Sequence, residues 1–414
     1  AGHQFGGYSP RLGDGRAVLL GEIIDRNGQR RDLHLKGSGR TPLSRGGDGK
    51  ATLGPMLREF VIAEAMHALG VPTTRALAVA VTGEEIAREG MEPGAVLTRV
   101  ASSHLRVGTF EYSARAGDDD AFKKLVDYSI ERHYRQVLDA EQPYLAFFEA
   151  VLDKQAALIA QWMLLGFIHG VMNTDNVTIS GEGIDYGPCA FMDRFDPATV
   201  FSSIDHAGRY AYGNQPRITT WNLARLAETL VSLVDDDFDV AAEALTCALN
   251  EFDDRYRSHW LTGMRAKLGI VVAQQSDGDF FDELLSLMQT EHLDYTSTFR
   301  SLATLLRDQA AEPVFGAENL IAAHWVTRWR ARLDAQGTDV GQVADSMDAV
   351  NPAYIPRNHL VDQALAAATE GDLTRFEELL GVVTDPFIER SGLERFAEPA
   401  PDGFEKGFRT FCGT

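Results

Sequence analysis

The stretch HGVMNTDNVTISGEGIDYGP, residues 169–188, follows directly on the apolar run AALIAQWMLLGFI (156–168). It gathers His169, Asp175, Asn176 and, ten residues after Asp175, Asp185 in a glycine-rich segment behind a buried helix. Acidic and amide side chains so close together can hold a hydrated divalent cation, accept a proton or simply face water. The sequence on either side decides which.

Upstream, the first 110 residues read as a mixed region. RAVLLGEIID (16–25) and RRDLHLKGSG (30–39) alternate apolar and polar residues around the turn RNGQ, predicting two strands and a hairpin. GPMLREFVIAEAMHALG (54–70) has helical spacing and a glycine stop at Gly70. RALAVAVTGEEI (75–86) and PGAVLTRVA (93–101) add two further strands. From about residue 118 the pattern turns helical, as in DDDAFKKLVDYSIERHY (118–134), TTWNLARLAETLVSLV (219–234) and NHLVDQALAAATEGDLTRFEELLG (358–381). The break ARAGDDDA (114–121) suits a linker. The predicted fold is α+β, a protein-kinase-like bilobal arrangement with a small sheet-rich lobe (1–115), a large helical lobe (116–350) and a helical carboxy-terminal extension with its tail (351–414).

Composition narrows the function. Apolar residues at 44% and charged residues at 24% are ordinary for a globular chain. A net charge of -21 argues against a dedicated nucleic-acid or anionic-membrane binder, while leaving room for a local basic pocket. Three cysteines without a CxxC pair make zinc and a disulfide framework improbable, so a reducing, cytoplasmic setting is expected. No segment reaches the roughly 18 apolar residues of a membrane span. The chain opens on AGHQFGG without Met, so a preceding segment is expected.

The candidate site residues follow from their order. Gly2, Gly6, Gly7, Gly13 and Gly15 precede the first strand, where a glycine backbone can approach phosphate oxygens, and Arg16 adds a charge; a plain turn is the competing reading. Lys36 ends a predicted strand and Glu59 lies 23 residues later in a predicted helix, the order in which kinase-like enzymes pair a lysine with the glutamate that orients it. Between them Asp48 and Gly49 mark a turn. Arg99 and Arg106 stand seven residues apart, and on a helical piece both would share one face and converge on an anion. Asn176 and Asp185 bracket VTISGEGI, which fits a small hairpin bringing an amide oxygen and a carboxylate to one Mg²⁺. Asp175 is then placed to take a proton from a hydroxyl.

These residues resemble the selenoprotein O (YdiU-like) family of protein adenylyltransferases. The resemblance rests on AGHQFGGYSPRLGDGRAVLLGE, LHLKGSGRTPLSRGGDGKATL, LREFVIAEAMHALGVPTTRALA, FIHGVMNTDNVTISGEGIDYGPCAFMD, DHAGRYAYGNQP and NPAYIPRNHL, from residue 1 to about 360. It implies AMP transfer from ATP to Ser, Thr or Tyr hydroxyls of target proteins, with transfer of UMP from UTP left open. It also implies ATP bound with its γ-phosphate buried. Gly13, Gly15, Arg16, Lys36, Asp48, Gly49, Arg99, Arg106 and Asp185 are the implied nucleotide contacts. Glu59 is implied to orient Lys36, Asp175 to act as general base, and Asn176 with Asp185 to hold Mg²⁺ or Mn²⁺. The family's amino-terminal segment is absent from this sequence. Kinase-type phosphoryl transfer and an inactive nucleotide-binding scaffold stand as alternatives.

Departures are visible too. Asp175 and Asn176 are adjacent, unlike the spaced pair of an ordinary kinase catalytic loop. Cys412 occupies the position of the family's redox residue, yet DPATVFSS (196–203) carries Phe201 where some relatives have cysteine. A disulfide from Cys412 would need Cys189, Cys247, another chain or a small thiol. Cys247, in a helical segment, is expected in the core.

Overall fold

The computed structural model describes every residue except 1, 11–16, 43, 45, 89, 309–314, 316–318 and 412–414. Gly13, Gly15, Arg16 and Cys412 therefore lie outside the described residues.

A short hairpin, β1 (Gly2–Gln4) and β2 (Gly7–Ser9), precedes the main sheet. That sheet is built from β3 (Ala17–Ile24), β4 (Arg30–Lys36), β5 (Ala51–Thr52), β6 (Arg75–Ala87) and β7 (Met91–Ala101). Its order is β3-β4-β7-β5, with β6 also on β7, and all pairings are antiparallel. The two-residue period of a strand puts Asp32, His34 and Lys36 on the buried face of β4. His34 stands opposite Arg99 and Lys36 opposite Leu97 on β7. A sheet face that buries charges in this way needs partners: Lys36 finds Glu59 on the helix α1 (Leu53–Ala68) laid against it, and Asp32 finds Arg132 (2.6 Å) and His104 (3.2 Å). Gly70 ends α1 as expected: at φ 80° it lets Val71 N–H reach back to the Met66 carbonyl (2.9 Å).

The rest is helical, as expected. α2 (Val107–Ala114) starts soon after the sheet, α3 (Asp119–His133) is capped by Asp118, and α4 (Pro143–Leu165) stops at Gly166 with φ 69°. β8 (Phe167–Ile168) and β9 (Ala190–Phe191) pair and close the base of the 169–189 loop. α5 (Gln215–Val234) follows, and further helices run between Phe238 and Val383. No helix among the described residues is long and apolar enough to cross a membrane.

Two expectations are corrected here. VTISGEGI forms no hairpin of its own, because its backbone finds partners elsewhere: Val107 N–H donates to Val177, Ile179 N–H to Leu105, and Thr74 N–H to Gly183. Those bonds join the loop to the sheet region. Cys247 is exposed rather than core, since Ala241, Leu245 and Ala248 take the buried face of its helix.

Far downstream, Arg357 of NPAYIPRNHL is fully buried and donates to Asp193 (2.6 Å) and Asp294 (2.6 Å), while neighbouring Asn358 holds the Phe191 carbonyl (2.8 Å). The extension thereby locks the strand that ends the loop. Residues Phe408 to Thr410 return to the same region: Thr410 Oγ1 donates to the Pro188 carbonyl (2.6 Å), and Phe408 packs on Phe201.

Beside the sheet, the desolvation of partial or full burial favours the neutral form of three histidines, His34, His104 and His133. His104 stacks on His34 (4.2 Å), and His133 meets Ser103 Oγ (2.8 Å). Burial lowers His104 to about 4 in spite of Asp32, and lowers His133 to about 4. A neutral buried histidine must charge on unfolding in acid, so the unfolded chain binds more protons between pH 6.5 and about 4. Stability is expected to fall as pH drops through that window and to level off below it for these groups. Melting temperature against pH tests this, and His133→Gln should shallow the drop.

Candidate functional site

Four sequence-predicted residues meet in one buried cluster. Lys36, at the end of β4, reaches Glu59 Oε2 of α1 (2.6 Å) and also pairs with Asp185 Oδ1. Arg99, on β7, pairs with the other Glu59 oxygen and reaches Asp185 Oδ1 (3.2 Å). Glu59 and Arg99 are only 2% and 3% exposed, so the charges interact through protein rather than water. Burial acts to raise the Glu59 carboxyl, but Arg99 and Lys36 outweigh it and hold it below its usual value. Glu59 is thus a carboxylate clamped between two cations. Arg99 and Lys36 are in turn fixed in direction.

Asp185 completes the cluster from the 169–189 loop. It adopts φ 69°, a left-handed backbone that is costly for a residue with a side chain, and its carbonyl accepts from Gly187 N–H (2.9 Å). The surroundings enforce this turn. Arg58, next to Glu59 on α1, donates to the carbonyls of Gly187 (3.0 Å) and Cys189 (2.5 Å), and buried Tyr186 shares a hydrogen bond with Thr73 (2.5 Å).

Asp175 and Asn176 form a short 3₁₀ turn in the same loop. Burial raises the Asp175 carboxyl above its usual value, with Arg106 and Gln4 opposing. Asn176 donates to the Val171 carbonyl (2.9 Å), whereas its Oδ1 is buried without a hydrogen-bond partner. An orphaned buried amide oxygen is uncommon and suits a hard cation. Among the described residues no group of three or more His, Cys, Asp or Glu side chains could hold a metal, so any cation here takes few protein oxygens.

Arg99 and Arg106 are not on one helix: Arg99 lies in β7, and Arg106 caps α2. They still converge. Arg106 donates to the Asp175 carbonyl (3.0 Å), its buried Nε has no partner, and burial with the repulsion of Arg99 lowers its pKa. It is a cation short of an anion.

Asp48 and Gly49 are spent differently. Arg88 grips the Asp48 carboxylate with two bonds (2.9 and 3.0 Å), lowering it to about 2. Gly49, at φ 70°, brings the 37–50 loop so close to Gly39 that a Cβ would sit 2.2 Å from the Gly39 carbonyl oxygen. Both shape the loop. His169 is scaffolding as well: it is fully buried, stacks on Trp162 and donates from Nε2 to the Ile184 carbonyl (2.8 Å).

Sequence reasoning missed the side chains that hold Asp175. Gln4 of β1 donates to Asp175 Oδ1 (2.7 Å) and accepts from Asn173 Nδ2 (2.7 Å). Asn173 Oδ1 accepts from Phe5 N–H (3.0 Å) and the Tyr210 hydroxyl (2.5 Å), and His3 N–H donates to Thr174 (2.7 Å). The GHQFGG stretch drew attention only for its glycines. Its polar residues between those glycines were the available signal.

A family model described as Protein adenylyltransferase SelO matches residues 1–384. The chain is similar to the Protein nucleotidyltransferase YdiU of Cereibacter sphaeroides, at 58% identity over 416 residues, covering 100% of this chain and 85% of that protein. The protein of the same name from Mycolicibacterium paratuberculosis is 59% identical over 421 residues, covering 100% of this chain and 84% of its own length. That of Rhizobium etli is 55% identical over 418 residues, covering 100% and 83%.

Removing one member of a buried ionic cluster leaves its partners uncompensated, at a cost of about 3–5 kcal/mol. Glu59→Gln is therefore expected to shift the urea unfolding midpoint sharply downward. An unchanged midpoint would mean that Asp185 alone balances Lys36 and Arg99.

Proposed function

Because this chain belongs to the SelO family of protein adenylyltransferases and is thus a nucleotidyltransferase, we propose that it transfers AMP from ATP to Ser, Thr or Tyr hydroxyls of other proteins, and UMP from UTP by the same route. The protein-kinase-like arrangement of a lobe at 1–115, a helical lobe at 116–350 and an extension at 351–414 is part of this proposal. The observation that carries it is the meeting of Lys36, Glu59 and Arg99 with Asp185, beside a loop in which Asp175 and an unpartnered Asn176 oxygen are adjacent.

In this reading Lys36, Arg99 and Arg106 bind the nucleotide phosphates, with the γ-phosphate at the buried end. Gly13, Gly15 and Arg16 contribute from the segment before β3, and Asp48 and Gly49 act through the loop they shape. Asn176 Oδ1 and the Asp185 carboxylate would hold Mg²⁺ or Mn²⁺, and their hard oxygens fit such an ion. When bound, the ion neutralises phosphate charge.

The steps on the protein side are simple. Asp175 takes the proton of the acceptor hydroxyl while that oxygen attacks the α-phosphorus. The bond from that phosphorus to the bridging oxygen breaks, and pyrophosphate leaves with the electron pair. Arg99 and Arg106 stabilise the charge that develops there. Gln4 directs Asp175 by occupying one carboxylate oxygen, leaving the other for the hydroxyl.

Intact-mass analysis after incubation with ATP and Mg²⁺ or Mn²⁺ tests the reading. An AMP-sized adduct is expected, and Asp175→Ala should lower its rate by roughly 10²–10⁴ without abolishing nucleotide binding. Asn176→Ala should raise the metal concentration needed for half-maximal rate. A phosphate-sized adduct would replace the proposal with kinase chemistry.

A further inference from the structure

Beside the loop that carries Asp175, arginines gather around one tryptophan. Trp221, on α5, carries the Arg209 guanidinium 4.9 Å and the Arg225 guanidinium 5.1 Å from its ring centroid. His3 meets the same ring edge-on at 5.3 Å. Arg217 lies one turn before Trp221 on α5 and is exposed. Cations held on an aromatic face keep their outward hydrogen-bonding edges for a ligand.

These charges are poorly matched internally. Arg225 has an ion pair with Glu228 (2.6 Å), but among the described residues neither Arg209 nor Arg217 has one. The Nε atoms of Arg209 and Arg225 are buried with no hydrogen-bond partner. On a chain of net charge -21, three arginines sharing one ion pair, with the Asp205 carboxylate taken by backbone N–H groups of Arg209 (2.8 Å) and Tyr210 (2.7 Å), run against the average surface.

The patch is bonded to the loop that carries Asp175. Tyr210, adjacent to Arg209, donates to Asn173 (2.5 Å). Asn222, adjacent to Trp221, donates to the Met172 carbonyl (2.9 Å), and His3 N–H donates to Thr174 (2.7 Å). All three bonds land on the residues just before Asp175. A peptide leaving a hydroxyl held at Asp175 in extended form can therefore run along this neighbouring patch.

We propose that Arg209, Arg217 and Arg225 around Trp221 dock an acidic segment of the protein substrate flanking its acceptor hydroxyl. This rests on the reading of Asp175 as the place where that hydroxyl is received. The occupant is argued from charge complementarity: carboxylates are the groups that fork-shaped guanidinium edges bind best, and the rest of this acidic surface repels them.

Binding tests it without relying on catalysis. Fluorescence anisotropy of a labelled Glu/Ser peptide with the full chain at low salt should show binding that weakens as salt rises. Versions with Gln or Lys in place of Glu should bind far more weakly. Arg209→Gln with Arg225→Gln should weaken the Glu/Ser peptide by roughly tenfold or more. Arg217→Glu, at an exposed helical position that cannot threaten the fold, should weaken it as well. Absence of binding, equal binding of the Gln peptide, or wild-type affinity in both variants would overturn the proposal. Loss of AMP transfer with this binding intact would instead tell against the catalytic reading.

Discussion

The site depends on one carboxylate that water cannot reach. Glu59 would be costly to bury alone, and it is affordable only because Lys36 and Arg99 approach its two oxygens from two different strands. That requirement fixes the register of β4 against β7 and the rotation of α1 over both. It also fixes what lies next along α1, because Arg58 then points at the backbone just after Asp185. A single turn of helix thus supplies both the charge balance of the sheet side and the hydrogen bonds that shape the opposing loop.

Arginine does much of this work on a chain that is acidic overall. Arg58, Arg99 and Arg357 are buried and Arg106 is half-buried, and each holds a different part of the same frame: carbonyls after Asp185, Glu59, the Asp193–Asp294 pair, and the Asp175 carbonyl. The planar guanidinium suits this use because it offers several donors in fixed directions. Arg58 and Arg106 bond backbone carbonyls, whereas Arg99 and Arg357 bond carboxylates.

How much was legible in the sequence follows from the range of each interaction. Lys36, Glu59, Asp175, Asn176 and Asp185 could be read because charged or amide residues interrupt apolar periodic elements, and their order carries meaning. The α1 stop at Gly70 was equally plain, being a local matter of backbone conformation. What could not be read were partnerships across long separations: Gln4 with Asp175, Tyr210 with Asn173, Arg357 with Asp193. The small hairpin expected over 177–184 failed for a related reason, since local alternation says nothing of competing partners such as Leu105 and Val107. Cys247 was expected in the core because its segment is helical, and helical phase instead turns it away from the face that Ala241, Leu245 and Ala248 bury.

Both ends of the described chain close on the same loop, β1 on Asn173 to Asp175 and Thr410 on Pro188. Biosynthesis runs from one end to the other at about 5–20 residues per second. His3 and Gln4 emerge well before their partners, which lie 171 residues further along, and the clasp at Pro188 waits for Thr410, 222 residues beyond it. The loop that carries Asp175 is therefore held by residues made long before it and by others made well after it. A nascent chain has the residues long before it has the geometry.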